Sequence, residues 1–329
     1  MKINEGLLQL RIPMSNNSLG YTCSYLLVDD ATLIDTGVET SEARSALVDQ
    51  LSEASLEVSD IERIVITHLH HDHVGLVDYI KSISGAEVYA HQTAVDLLRT
   101  QAERSKQMYD NMQNEIELLG GRDLLHLLSM IERSFRRSPA PLPIDKTLSD
   151  GDLLRLKGRS LKVIWTPGHA PEEICLYDAE RQILFSGDHI LPRITPHISL
   201  HTYEDANPLG DYLNSLEKLR GLPVRIILPA HEHMFEDLEG RIEELKRHHE
   251  TRCNEIKEAI KKGARTVYQI SAKISWSSPW SLMPFWIKRM AAAEALAHLT
   301  YLRNKGEIEE RIVNGVLYYT CKRGVESSL

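Results

Sequence analysis

An α/β fold with a smaller module attached is predicted by three features of this 329-residue chain. Apolar runs of strand length alternate with amphipathic stretches up to about residue 93, the pattern of strands and helices along a sheet. From residue 146 the β pattern returns, and several apolar runs stop at a tight turn bearing histidine or aspartate. Residues 265–329 then carry a helix-and-hairpin pattern of their own. A hydrophobic share of 42% in a chain this long is ample for a buried core.

Taken in order, "YTCSYLLVDD" and "ATLIDTG" read as strands joined at Asp29-Asp30. "TSEARSALVDQLSEAS" reads as a helix with Thr40 or Ser41 as N-cap and Ala43, Ala46, Leu47 and Leu51 on its apolar face. "RIVIT" is a β-branched run and predicts a buried strand. Val74, Val77, Ile80 and Ile83 then repeat at helical spacing, and "AEVYAH" is the next strand. Residues 93–137 are helical and polar, broken at Gly120-Gly121 and closed by "SPAPLP". This reads as an inserted segment, suited to a lid, an oligomer contact or mere filling of space.

Further along, "LKVIWT", "EICLYD", "QILFSGD" and "VRIILPA" predict strands, and "GDYLNSLEKLRGL" predicts a helix. The charged stretch "FEDLEGRIEELKRHHETRCNEIKEAIKKG" predicts a long helix whose Glu-rich turns precede its Lys/Arg-rich turns, as the helix dipole favours. "PFWIKRMAAAEALAHLTYLRNKG" reads as a helix stopped by Gly306. "EIEERIV", Asn314-Gly315 and "VLYYTCK" then form a hairpin signal. The expected division is a catalytic domain over 1–250, holding the insert, and a linker helix with a winged-helix-like domain over 251–329.

The sequence disfavours several function classes. Cys23, Cys175, Cys253 and Cys321 are scattered with no CxxC pair, which argues against a disulfide framework and for reduced thiols in the cytoplasm. "MKINEGLLQLRIPM" is not a secretory signal, and no apolar run approaches the ~18 residues of a membrane span. Charge is uneven: residues 251–329 hold 13 Lys and Arg against 7 Asp and Glu, and residues 1–250 hold 25 against 40. That asymmetry fits attraction between the two parts, or an anionic partner such as nucleic acid for the tail.

The densest chemistry is "IVITHLHHDHVG". His68 and His70 alternate on an extended segment and share a face, while Asp72 and His73 sit at the turn into a helix and point back to the same cavity. Imidazole with carboxylate suits zinc, and also iron or manganese. Other candidates follow later strands: His169 in "TPGHA", Asp188 in "SGDHI" and His231 in "PAHEH". Each alone reads as a solvated residue, but together they point to two metals.

These motifs, with Asp35 in "LIDTG", resemble the HxHxDH motif set of the metallo-β-lactamase superfamily over about residues 5–250, outside the insert. The resemblance implies an αββα sandwich. It implies that His68, His70 and His169 bind one metal, that Asp72, His73 and His231 bind a second, and that Asp188 bridges them. Asp35 would orient a ligand histidine. His71 is the variable position, and surface or supporting roles are expected for His189 and His233. A metal-bridging hydroxide would be the nucleophile, with Asp72 as ligand and proton acceptor. His70 stands where the diiron branch carries glutamate, so two zinc ions are favoured over iron or manganese.

The expected function is hydrolysis of a small thioester, ester or lactone. Two alternatives are a single-stranded RNA endonuclease using the basic tail, and a mono-iron persulfide-type dioxygenase. Antibiotic hydrolysis fits poorly without a secretion signal, and a non-enzymatic zinc protein would have lost ligands. Arg193, His197, His201 and Tyr203, in the loop after Asp188, are candidates for binding substrate. A homodimer is compatible with the insert.

Overall fold

Strand β1 (Lys2–Asn4) opens a seven-stranded sheet, followed by β2 (Leu7–Pro13), β3 (Tyr21–Leu27), β4 (Thr32–Ile34), β5 (Arg63–Val65), β6 (Glu87–His91) and β7 (Lys146–Leu148), hydrogen-bonded in chain order. The computed structural model describes residues 1–322 apart from 5, 16, 107, 132–141, 203 and 205. Part of the expected "SPAPLP" break lies outside the described residues. The sheet is antiparallel from β1 to β4 and parallel from β4 to β7. A second sheet of five strands follows: β8 (Leu153–Leu156), β9 (Arg159–Trp165), β10 (Ile174–Asp178), β11 (Ile183–Gly187) and β12 (Ile226–Pro229). It is antiparallel except for the β11–β12 pair.

Alternation along the strands separates two cores. Tyr25, Leu27, Ile34 and Val65 of the first sheet meet Val163, Ile174, Leu176 and Phe185 of the second. Their neighbours Leu26, Leu33, Ile64 and Ile66 point the other way, into helix α1 (Ser41–Glu53) and helix α3 (Val77–Ser84). This is the expected sandwich of two sheets with helices outside. Thr40 is the N-cap of α1, its hydroxyl accepting from Ala43 N at 3.1 Å. The short helix α2 (His71–Val74) lies between β5 and α3.

The chain divides into two compact units, and the division does not follow the expected domain boundary. Met1–Thr100, Ala140–Pro196 and Asn214–Ile242 form the first, which holds both large sheets. Gln101–Pro139, His197–Leu213 and Glu243–Leu329 form the second. Thus the division falls within helix α4 (Gln92–Lys106): its first turns stay with the sheets, and the rest of the insert, with helices α5 (Met108–Leu118) and α6 (Leu125–Ile131), groups with the tail. The reason is close packing at the Gly120-Gly121 break. A methyl group at Gly120 would lie 2.7 Å from Thr266, and one at Gly121 would lie 2.5 Å from the Tyr268 ring.

Helix α7 (Pro208–Leu219) and the long helix α8 (Leu238–Lys261) come before the tail. In the second unit, helix α9 (Val267–Ser271) starts with a Thr266–Gln269 capping box and packs on helix α10 (Phe285–Asn304). Strands β13 (Ile308–Val313) and β14 (Val316–Cys321) form the expected hairpin. Asn314 and Gly315 both take positive φ, 51° and 76°, as a two-residue turn of this hand requires.

Candidate metal centre

Five loops of the first unit end strands at one end of the sandwich. They follow β4 (Asp35), β5 (His68, His70, Asp72, His73), β9 (His169), β11 (Asp188) and β12 (His231). The donor atoms fall into two groups: His68, His70, His169 and Asp188, and Asp72, His73 and His231. Within each, the donor atoms lie no more than 4.8 Å apart. Asp188 also connects the groups. Its Oδ2 is 3.6 Å from His169 Nε2, and its Oδ1 is 3.6 Å from His73 Nε2 and 3.3 Å from His231 Nε2. His231 Nε2 lies 3.4 Å from Asp72 Oδ2, and His70 Nδ1 lies 3.0 Å from His169 Nε2.

A cation fits this donor set on two grounds. His68 Nε2, His73 Nε2 and Asp188 Oδ1 are buried with no hydrogen-bond partner among the described residues, a costly state unless something else coordinates them. The charges also call for one. Burial pushes the Asp188 carboxyl up, yet His73 and His231 outweigh it and hold Asp188 well below the usual carboxylate range. Burial lowers His231, but Asp188 and Asp72 carry it up to about 9. His68, among neighbouring imidazoles, is held well below the ordinary histidine value by burial and by His73 and His70. The carboxylates therefore draw positive charge into the cluster, where a divalent metal would supply it.

Asp35 is 2% exposed and sits behind the cluster at φ 57°. Its Oδ1 accepts from Thr67 N at 2.8 Å and its Oδ2 from the Thr67 hydroxyl at 2.7 Å. His73 Nδ1 donates to Asp35 Oδ2 at 2.8 Å, so the carboxylate orients this ring and turns Nε2 towards Asp188. Thr36 holds the backbone of the same histidine, its amide and hydroxyl both donating to His73 O at 2.8 Å.

Sequence reasoning missed a pair of buried acids. Glu172 Oε1 accepts from Leu69 N, between His68 and His70, and Glu173 Oε1 accepts from Asp188 N, each at 2.8 Å. Burial raises both carboxyls above the ordinary glutamate value, and Asp188 adds to the shift at Glu173. The available signal was two acidic residues directly before the fully apolar "ICLYD". Glu232 and Arg241 were also missed. Glu232 Oε2 accepts from Arg193 N and Ile194 N at 3.0 and 3.2 Å, and Arg241 donates to Leu191 O, Arg193 O and Ile194 O.

The four candidates for substrate binding are divided between the two units. Arg193 is exposed in the first unit, on the loop pinned by Glu232 and Arg241. His197 and His201 belong to the second unit. His197 Nδ1 is 3.2 Å from Glu294 Oε2, and His201 Nδ1 is 2.9 Å from Glu115 Oε1. Tyr203 lies outside the described residues. His189 is fully buried rather than superficial, and burial lowers it to about 3, so the ring is neutral. His71 and His233 are exposed. No helix among the described residues is long and apolar enough to cross a membrane.

Comparison with known proteins matches residues 19–231 to the family described as the metallo-beta-lactamase superfamily. The probable metallo-hydrolase YqjP of Bacillus subtilis is 27% identical over 97% of this chain and 99% of its own length. The beta-lactamase-like protein 2 homolog of Caenorhabditis elegans is 29% identical, with 79% of this chain and 73% of that protein covered. Among solved structures, a metallo-beta-lactamase family protein from Thermus thermophilus aligns with a TM-score of 0.79 at 29% identity, covering 98% of this chain and 100% of its own.

Proposed function

The chain belongs to the metallo-β-lactamase superfamily and is a metal-dependent hydrolase, and from that premise we propose that it holds two zinc ions and cleaves a small thioester, ester or lactone. His68, His70 and His169 would hold one ion, Asp72, His73 and His231 the other, and Asp188 would lie between them. Bound there, divalent metal supplies water that ionises near neutral pH and a Lewis acid for the carbonyl oxygen. Asp72 would serve there both as a ligand and as the proton acceptor for that water. Asp35 keeps His73 in one tautomer, and Glu173 fixes the backbone on which Asp188 rides. Arg193, exposed beside that loop, is the cation we assign to a substrate carboxylate.

One observation carries this reading: seven donors from four distant strand-end loops meet in two groups, and three of their buried donor atoms have no hydrogen-bond partner among the described residues. The acidic balance of residues 1–250, 25 cations against 40 anions, supports a small acyl substrate over a polyanion. Metal analysis should find about two zinc per chain, and a single iron would overturn the dinuclear zinc reading. A panel of thioesters, lactones and single-stranded RNA tests the substrate class. Acyl cleavage lost in His70→Ala is the expected result. Cleavage of RNA alone, lost in the same variant, would replace the acyl reading with the nuclease one.

A further inference from the structure

The strands that carry the metal loops have a second, differently charged end. β9 begins at Arg159, β11 just after Gln182 and β12 just after Arg225, whereas His169, Asp188 and His231 follow the opposite ends of these strands. A cleft of about 680 Å³ opens there, wholly within the first unit, lined by Asn4, Asp29, Lys157, Arg159, Arg181 and Arg225 among others. Four cations converge in a unit whose balance is acidic.

Arg159 is 7% exposed, and its Nη1 has no hydrogen-bond partner among the described residues. Its nearest acid there is Asp178, with Oδ2 at 3.8 Å, beyond hydrogen-bond reach. Arg181 ties two turns together. Its Nη2 donates to Gly158 O at 3.0 Å, and its Nη1 lies 3.4 Å from Asp178 Oδ2 and 3.6 Å from Glu180 Oε2. The backbone of Lys157 is fixed by Asp30 Oδ1, which accepts from Lys157 N at 2.7 Å. Neither the Lys157 ammonium nor the Arg225 guanidinium has an acidic partner among the described residues. Asp178, Asp29 and Asp30 thus offset Arg159, and Asp178 and Glu180 offset Arg181, which leaves Lys157 and Arg225 as the two cations without an acidic partner among the described residues.

We propose that this cleft binds a small phosphate-bearing molecule. Guanidinium forks match phosphate oxygens in geometry, and an ammonium adds a charge that accepts any orientation. The volume suits a metabolite-sized ligand. The site is independent of the acyl-hydrolase reading, because it shares no residue with the metal centre.

The test is calorimetric titration of inorganic pyrophosphate into the intact, metal-loaded chain. Lys157→Gln with Arg225→Gln should weaken binding about tenfold or more, as expected for losing two charged contacts. Glu180→Gln should tighten it, since Arg181 loses a competing acid. His70→Ala separates this site from any phosphate held at the metals and should retain one binding event. Equal affinity in the double variant, loss of all binding in His70→Ala, or no binding at millimolar pyrophosphate would each overturn the proposal.

Discussion

His73 shows how one residue is held from three directions. Asp35 accepts its Nδ1–H, Thr36 donates to its backbone carbonyl, and Asp188 faces its Nε2. Asp35→Asn keeps the size of the side chain but loses the charge that selects the tautomer. Turnover should fall by about 10–100-fold, with metal content reduced and the far-UV spectrum unchanged. Unaltered kinetics and metal stoichiometry would show that Asp35 does not act through His73. Gly75 closes the same segment for steric reasons. A methyl group there would lie 2.4 Å from Glu39 N and 2.7 Å from Gly37 O, and both are backbone atoms that cannot swing aside. Gly75→Ala should therefore destabilise the fold by about 1–3 kcal/mol in a denaturant titration. A midpoint equal to that of the parent protein would refute this packing argument.

Elements of this chain owe their ends to local chemistry and their middles to burial. Helix α10 ends in a Schellman arrangement: Gly306 N donates to Arg303 O at 2.8 Å and Glu307 N to Leu302 O at 3.0 Å, with Gly306 at φ 71°. Gly306→Ala must place a side chain in the left-handed region, at a cost of about 1 kcal/mol. Faster hydrogen exchange in the last turn of α10 is the expected readout. The body of that helix, including Ala291, Ala292, Ala293, Ala295, Leu296, Ala297 and Leu299, is buried. The sandwich strands follow the same logic, since a one-residue slip would turn Leu26 and Ile64 from the helices to the facing sheet.

At the scale of the molecule, the three segments of the second unit are held to one another by a charged node as well as by packing. Glu115 from the insert is 1% exposed, lies 2.9 Å from His201 Nδ1, accepts from Thr202 N at 3.2 Å and pairs with Arg289 at 2.8 Å. Burial pushes its carboxyl up, but His201 and Arg289 outweigh that and hold it below the ordinary glutamate value of 4.5. A depressed carboxylate contributes stability that is complete above its unfolded-state value and is lost as pH falls through the folded one. Stability should therefore decline on acidification below about pH 4.5 more steeply in the parent protein than in Glu115→Gln. Thermal melts of both proteins across that range measure the difference, and parallel acid limbs would remove Glu115 from the account.

The sequence alone determined the order of strands and helices and the identity of the metal-type donors. Both rest on local signals, namely apolar periodicity and histidine or aspartate at the turns that end strands. The Thr40 cap and the Asn314-Gly315 hairpin were legible for the same reason, because each is a contact between near neighbours in the chain. Tertiary structure alone decided that the insert joins the tail, through Gly120 against Thr266 and Glu115 against Arg289. It also decided that Glu172 and Glu173 reach back to Leu69 and Asp188, and that His201 faces Glu115. In those pairs recognition passes between segments far apart in the chain, and a single sequence carries no local trace of which buried charge will meet which donor.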